Sequence, residues 1–360
     1  MRSSRKDDHV RFAVEQHRSG PAANDFDAVA LVHHALAATD CAEVELATEV
    51  LGRRWETPFF INGMTGGSEH TGTINRNLAI AARETGLPIG SGSMSAYFAD
   101  EALADTFRVL RKEHPRGFVM ANVNATATPD QVHRAIDLLE ADALQIHLNA
   151  LQEIVMPEGD REFRAWRDQV PRIAAAAGIP VIVKEVGFGL SRETVALLRD
   201  SGVAAADVGG RGGTNFARIE NNRRTAADFG FIEDWGQSTV ACLLDAAGLS
   251  GIEVLGSGGI RSPLDVAKAL ALGAGAVGVA GRFLHTLVDQ GTDALITMIT
   301  EWRTQLQQIM TVLGALKPAD LTGCDLLITG APAEFAELRG VDVTAYANRT
   351  RQANQERSLE

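Results

Sequence analysis

The chain is short of cysteines, of dense basic runs and of long apolar runs, and each shortage excludes a class of protein. Its three cysteines, Cys41, Cys242 and Cys324, are far apart and without CxxC spacing. That argues against a disulfide framework or a cysteine zinc site and suits a reducing compartment. No basic cluster offsets the net charge of −12, so general affinity for nucleic acid or anionic membranes is not expected. No run approaches the ~18 apolar residues of a membrane span. The opening MRSSRKDDHVRFAVEQ carries charge where a signal peptide needs an apolar segment, so a soluble, cytoplasmic protein is expected. Short repeats and low-complexity tracts are missing as well. Only the polar tail from Arg349 (RTRQANQERSLE) is expected to fray.

What is present is a repeating alternation. With 360 residues, 45% of them hydrophobic, the chain can bury one large core. Short apolar runs followed by helical periodicity give eight units, whose strands are predicted at Pro58–Asn62, Pro88–Ser91, Gly117–Val123, Ala143–Leu148, Pro180–Val186, Ala204–Val208, Ile252–Gly256 and Ala276–Ala280. Helices are predicted between them, among others at Thr73–Thr85, Asp130–Glu140, Arg192–Arg199 and Thr239–Ala247. Eight alternating β and α elements predict an α/β fold, a (β/α)8 TIM barrel over residues 58–290, with an open doubly wound sheet as the alternative. Residues 1–57 form an N-terminal extension with helix signals at Phe12–Gln16 and Phe26–Ala37. Residues 291–360 add a long helix at Asp293–Leu313, a short one starting in Lys317–Gly323, and the tail.

The stretch VLGSGGIRSPLDVAKALALGAGAVGVAGRFL, Val254 to Leu284, reads as strand, glycine turn, helix, repeated once. Gly256, Gly258 and Gly259 permit close backbone approach, Ser262 fits an N-cap and Pro263 a first helical position. Ala280 and Gly281 open the second helix. Two adjacent turns after strands seven and eight aim backbone N–H groups at one anion, the phosphate position of many barrels.

The other strand ends are polar. They carry NGMTGG (Asn62–Gly67), GSGSMS (Gly90–Ser95), Asn122 and Asn124, then HLNALQE with His147, Asn149, Gln152 and Glu153. Lys184 interrupts the apolar run PVIVKEV, where a lysine needs an anion or a ligand beside it. Arg211, Thr214 and Asn215 follow strand six. Glu153 alone makes a metal site only if a substrate such as a diphosphate supplies further ligands. A flat, phosphate-tailed cofactor fits this mouth. FMN would place its phosphate on the paired turns and its ring near Lys184, which would favour negative charge on the reduced ring. No GxGxxG with a distant acid marks a dinucleotide domain, so any nicotinamide would visit transiently. No pair of catalytic carboxylates is evident.

RKDDH at Arg5–His9, NGMTGGS, GSGSM, ANVNA, ALQIHLNALQE, PVIVKEVGFGLS, GRGGTNFARIENNRR and WGQST, with the closing glycine run, together resemble type 2 isopentenyl-diphosphate Δ-isomerases, the FMN-dependent form and most of all its actinobacterial members. The resemblance spans nearly the whole chain. It implies 1,3-allylic isomerisation of isopentenyl to dimethylallyl diphosphate, with reduced FMN, Mg2+ on the diphosphate and NADPH as flavin reductant. It further implies that the flavin itself supplies acid–base function. FMN would be held by Met64, Thr65, Gly66, Ser93, Asn122, Lys184, Thr214, Gly258, Gly259, Arg261, Ala280 and Gly281. Substrate would meet Arg5, Lys6, Ser93, Met94, Ser95 and Gln152, with His147 and Gln152 in catalytic roles and Glu153 on the metal. The resemblance further implies a leading arm that orders over the diphosphate, its own copy's or a neighbour's, and a homo-oligomer, a tetramer or octamer. Two residues depart from many members. Gly209 replaces a serine, which removes a hydroxyl on the phosphate side, and Met94 replaces a glutamine.

Two rivals are weighed on residues. A 2-hydroxy-acid oxidase needs a histidine base before GGR after strand six, where this chain has Val208. A non-catalytic flavin-binding protein would have no use for Arg5, Lys6, Gln152 and Glu153.

Overall fold

The computed structural model describes residues 2–18 and 23–352. Eight parallel strands close into a barrel: β1 Phe59–Ile61, β2 Ile89–Gly90, β3 Val119–Asn124, β4 Ala143–Leu148, β5 Val181–Glu185, β6 Ala205–Asp207, β7 Glu253–Ser257 and β8 Val277–Val279. Closure is made by β8 on β1, with Val277 opposite Phe59 and Val279 opposite Ile61. All eight predicted strands are present, and the open-sheet alternative is excluded. The four predicted helices appear at Glu69–Thr85, Pro129–Leu139, Arg192–Asp200 and Thr239–Ala246.

Side chains alternate along a strand, so residues two apart share a face. One parity builds the barrel interior in layers. Phe60, Met120, Ala143, Ile182, Ala205, Leu255 and Ala276 form an apolar floor together with Val50 and Trp55. Those last two come from the antiparallel hairpin Thr48–Val50 and Arg53–Trp55, which closes the lower end. Two residues further along the same strands lie Asn62, Asn122, Gln145, Lys184, Asp207 and Ser257, all buried and all polar. The change from apolar to polar along these six strands places the chemistry at the C-terminal mouth.

Residues 2–18 form one helix, Arg2–Arg18. Val10, Ala13 and Val14 are buried, so the helix lays an i, i+3, i+4 stripe on the barrel of its own chain. The arm therefore covers the barrel mouth of its own chain. The expected helix Phe26–Ala37 does not form. A short 3-10 turn, Asp25–Ala28, leads into Val29–Leu31, which pairs antiparallel with Leu326–Ile328. A partner some 300 residues distant in sequence overrode the local helix signal. The expected long helix is Thr292–Leu313, and Pro318–Gly323 is a 3-10 helix. The tail does not fray at Arg349: its Nη1 donates to Ala271 O at 2.8 Å, and Thr350 N donates to Asp325 Oδ1 at 2.9 Å. Residues 353–360 lie outside the described residues.

Candidate functional site

A cavity of about 320 Å3 opens at the barrel mouth beneath the N-terminal helix. On its floor, Asp207 Oδ2 accepts from Asn62 Nδ2 at 2.9 Å, and Asp207 Oδ1 accepts from Ser257 Oγ at 2.5 Å. Strands β1, β6 and β7 are thereby tied across the barrel axis. Lys184 is 6% exposed, and its Nζ donates to Glu185 O at 3.0 Å. Burial pushes its pKa down while Asp207 and Glu185 oppose the shift. An anionic ring atom above it would restore the charge that burial disfavours.

One pole is a glycine cradle after β6, β7 and β8. Gly258 has φ 101°, and a Cβ there would lie 2.0 Å from Gly210 O. A Cβ on Gly213 would lie 2.8 Å from Gly259 N, and one on Gly281 2.0 Å from His17 Nε2. Backbone of the loops after β6 and β7 thus converges closely, while the start of the helix after β8 packs against the His17 side chain. Asn24 Nδ2 donates to Gly259 O at 2.8 Å and to Gly212 O at 3.3 Å, which clamps two of these loops. Arg282 lines the cradle with its Nε buried and unpartnered. An orphaned guanidinium nitrogen beside open backbone N–H groups fits a phosphate.

The other pole gathers Arg5, Lys6, His9, His147, Asn149, Gln152 and Glu153. Burial, then Arg5, brings Lys6 down to about 8, with Glu220 and Glu153 opposing. Arg5 Nη1 lies 3.6 Å from Glu158 Oε1, and its Nε is buried without a partner. His147 Nδ1 is 2.8 Å from Asn122 Oδ1. Asn122 Nδ2 already donates to Gln145 Oε1 at 3.3 Å, so His147 carries the Nδ1 proton and leaves Nε2 as an acceptor. Burial, Lys184 and Lys6 bring His147 down to about 3, which keeps it neutral near pH 7.

Gln152 is held at both ends. Its Oε1 accepts from Asn149 Nδ2 at 3.3 Å and its Nε2 donates to Glu220 Oε1 at 2.8 Å. Glu153 accepts from Asn149 Nδ2 and from Asp160 N, each at 2.9 Å. Glu220 is fully buried in the helix Phe216–Asn222, behind Gln152. Burial would raise its pKa, but His9, Gln152 and Arg223 outweigh it and hold it at about 2. Among the described residues no three His, Cys, Asp or Glu side chains converge on a metal position.

Of the expected FMN ligands, Met64, Ser93, Asn122, Lys184, Thr214, Gly258, Gly259, Arg261, Ala280 and Gly281 line the cavity, and so do Arg5, Lys6, Ser95, His147, Gln152 and Glu153. Four of the expected residues are placed differently from the rest. Thr65 and Gly66 are buried beside the cavity without lining it; the Thr65 Oγ1 has no partner, and a Cβ on Gly66 would meet Phe107 at 2.2 Å. Met94 is wholly buried in the apolar core, so its side chain offers substrate no contact. Arg261 reaches the cavity rim, but its guanidinium pairs with Asp27 at 2.6 Å and Asp265 at 3.0 Å. Gly209, with φ 48°, has no room for the missing serine in this backbone path: a Cβ would lie 2.1 Å from Glu185 O. The sequence reading missed Asp207, Glu220, Asn24, His17 and Arg282. For Glu220 a signal existed, since it falls four residues after Phe216 on one helix face.

A family model for FMN-dependent dehydrogenases matches residues 108–326. A relative from Nocardia farcinica (strain IFM 10152) is 67% identical over 350 residues, 97% of each chain. One from Streptomyces sp. (strain CL190) is 60% identical over 97% of this chain and 96% of its own. One from Latilactobacillus sakei subsp. sakei (strain 23K) is 44% identical over 91% and 94%. All three are named isopentenyl-diphosphate delta-isomerase. Among solved structures, a flavocytochrome b2 is similar with TM-score 0.65 at 18% identity, covering 95% of this chain and 82% of its own. A mandelate oxidase gives TM-score 0.62 at 19% identity, over 88% and 92%. At such identities the likeness shows the barrel fold alone.

Proposed function

Because the chain belongs to the isopentenyl-diphosphate delta-isomerases, on the barrel of the FMN-dependent dehydrogenases, we propose that it works with reduced FMN and a Mg2+-bound diphosphate at this mouth. The observation that carries the reading is one cavity with two poles suited to anions, the glycine cradle with Arg282 and the Arg5–Lys6 cluster.

The reaction moves a double bond without net electron transfer. A proton is added at the terminal alkene carbon and another is lost from C2 of the substrate. When bound, the reduced flavin supplies an acid–base group, which suits a site without a carboxylate dyad. The chain's own residues bind and orient. Gly258, Gly259, Gly281 and Arg282 would hold the cofactor phosphate, and Lys184 would stabilise negative charge on the ring. Arg5 and Lys6 would hold the diphosphate, and Glu153 would help hold the Mg2+ that accompanies it. Gln152, fixed by Asn149 and Glu220, orients the substrate against the ring. His147 meets substrate as a neutral acceptor and gains a proton only when an anion sits beside it.

NADPH as the flavin reductant belongs to this reading, and so does a homo-oligomer, supported by the exposed Phe231 and Trp235 after the β6 loop. Hydroxy-acid oxidation does not belong to it, since Val208 is buried and apolar where that chemistry needs a base. The test is turnover in D2O. One solvent deuterium in a methyl group of the product is expected, and a product without deuterium would require a direct hydrogen shift and overturn the acid–base scheme.

A further inference from the structure

The N-terminal helix reaches both poles of the cavity. Lys6, Val10, Ala13, Val14 and His17 follow i, i+3, i+4 spacing, so the apolar stripe that docks the helix also turns Lys6 and His17 inward. Eleven residues separate those two, a span of about 16 Å along a helix. At the far end Gln16 clasps the loop after β6: its Oε1 accepts from Asn215 N at 2.8 Å and its Nε2 donates to Asn215 O at 3.1 Å. His17 Nε2 lies 3.3 Å from Thr214 Oγ1. The same nitrogen fills the space a Cβ on Gly281 would take, 2.0 Å away, directly over the first residue of the helix Gly281–Gln290.

The corner around this imidazole is basic. Arg282 Nε and His285 Nδ1 are both buried without a partner. The carboxylate there, Asp289, is engaged by Arg18 at 2.8 Å and by His285 Nε2 at 3.2 Å. Burial, then His285 and Arg282, brings His17 down to about 4. Such convergence is costly in an empty corner and favourable around an anion.

We propose that His17 is a ligand of the cofactor phosphate, and that this contact latches the N-terminal helix so that filling the cradle places Arg5 and Lys6 over the substrate pole. The inference rests on FMN phosphate occupying the cradle. A group that binds only the docked helix stabilises docking, and docking strengthens its binding in return. Cofactor and diphosphate affinities are thereby coupled through one helix.

The test compares FMN with riboflavin, which has the same ring and no phosphate, on full-length apoprotein. Flavin fluorescence reads affinity, and amide hydrogen exchange reads the protection of residues 5–18. The wild type is expected to bind FMN more tightly than riboflavin, and FMN to protect the helix more strongly. His17→Gln, which keeps a polar side chain, is expected to weaken FMN about tenfold, leave riboflavin unchanged and remove the extra protection. Unchanged FMN affinity and protection would overturn the latch, and so would equal weakening of FMN and riboflavin, which marks a merely structural role. Arg282→Gln separates the premise from the inference. If it weakens FMN while His17→Gln does not, only the latch fails; if neither does, the phosphate placement fails as well.

Discussion

Replacing Glu185 by Gln should flatten the dependence of stability on pH between about pH 5 and 8 while keeping the fold. Glu185 ends β5 and is 8% exposed. Its Oε2 accepts from three consecutive backbone N–H groups, Val186 at 2.7 Å, Gly187 at 2.8 Å and Phe188 at 2.6 Å. Burial pushes the carboxyl from 4.5 up to about 7, although those N–H groups and Lys184 pull the other way. Between the two values the folded chain keeps a proton that the unfolded chain has lost. The resulting stabilisation is complete below about pH 4.5 and disappears as the pH rises through 7. A displacement of 2.5 units, 7 minus 4.5, corresponds to roughly 3 kcal/mol. The Gln side chain keeps an oxygen for the three N–H groups and does not titrate. Urea unfolding of FMN-loaded protein from pH 5 to pH 8 should therefore show the wild type losing about 2–3 kcal/mol relative to Glu185→Gln, the remainder of the change falling below pH 5. Parallel profiles would refute the argument. Glu185→Ala is a different perturbation, because it strands three N–H groups at about 1–3 kcal/mol each, and it should destabilise at every pH.

Three further outcomes are expected. Lys184→Ala should loosen FMN and lower its two-electron potential by about 30 mV, read by dye equilibration; an unaltered potential would count against a cation at the ring. Glu153→Gln should raise the Mg2+ concentration for half-maximal turnover about tenfold at unchanged FMN content, and an unshifted Mg2+ titration would remove Glu153 from the metal. Gln152→Leu breaks the bridge from Asn149 to Glu220 and should lower kcat about 100-fold with FMN still bound; a change confined to KM would contradict an orienting role.

The barrel was legible because its signals are local. Each strand is a short apolar run, and the parity that turns Phe60, Met120, Ile182 and Leu255 into the floor also turns Asn62, Asn122, Lys184 and Ser257 into the site. Lys184 stood out because a lysine breaks the apolar run PVIVKEV. Asp207 has the same parity as Ala205, but it ends a strand of small residues and resembles an ordinary strand terminus. Loop side chains were harder. Thr65, Gly66 and Met94 adjoin residues that face the cavity, and nothing in a glycine-rich loop tells which neighbour turns away. The helix expected at Phe26–Ala37 failed because Val29–Leu31 pairs with Leu326–Ile328, a contact no local window contains. The N-terminal arm reads as a charged terminus unless Val10, Ala13 and Val14 are counted as a buried stripe; counted so, it carries Lys6 and His17 inward together.

The most direct test of the whole account is anaerobic conversion of isopentenyl diphosphate by purified protein with Mg2+, comparing oxidised FMN with FMN reduced beforehand by dithionite or NADPH. The account predicts dimethylallyl diphosphate only with reduced flavin, over many turnovers per flavin and with no flavin oxidised. Bound, reducible FMN without product, or equal turnover with oxidised flavin, would contradict it.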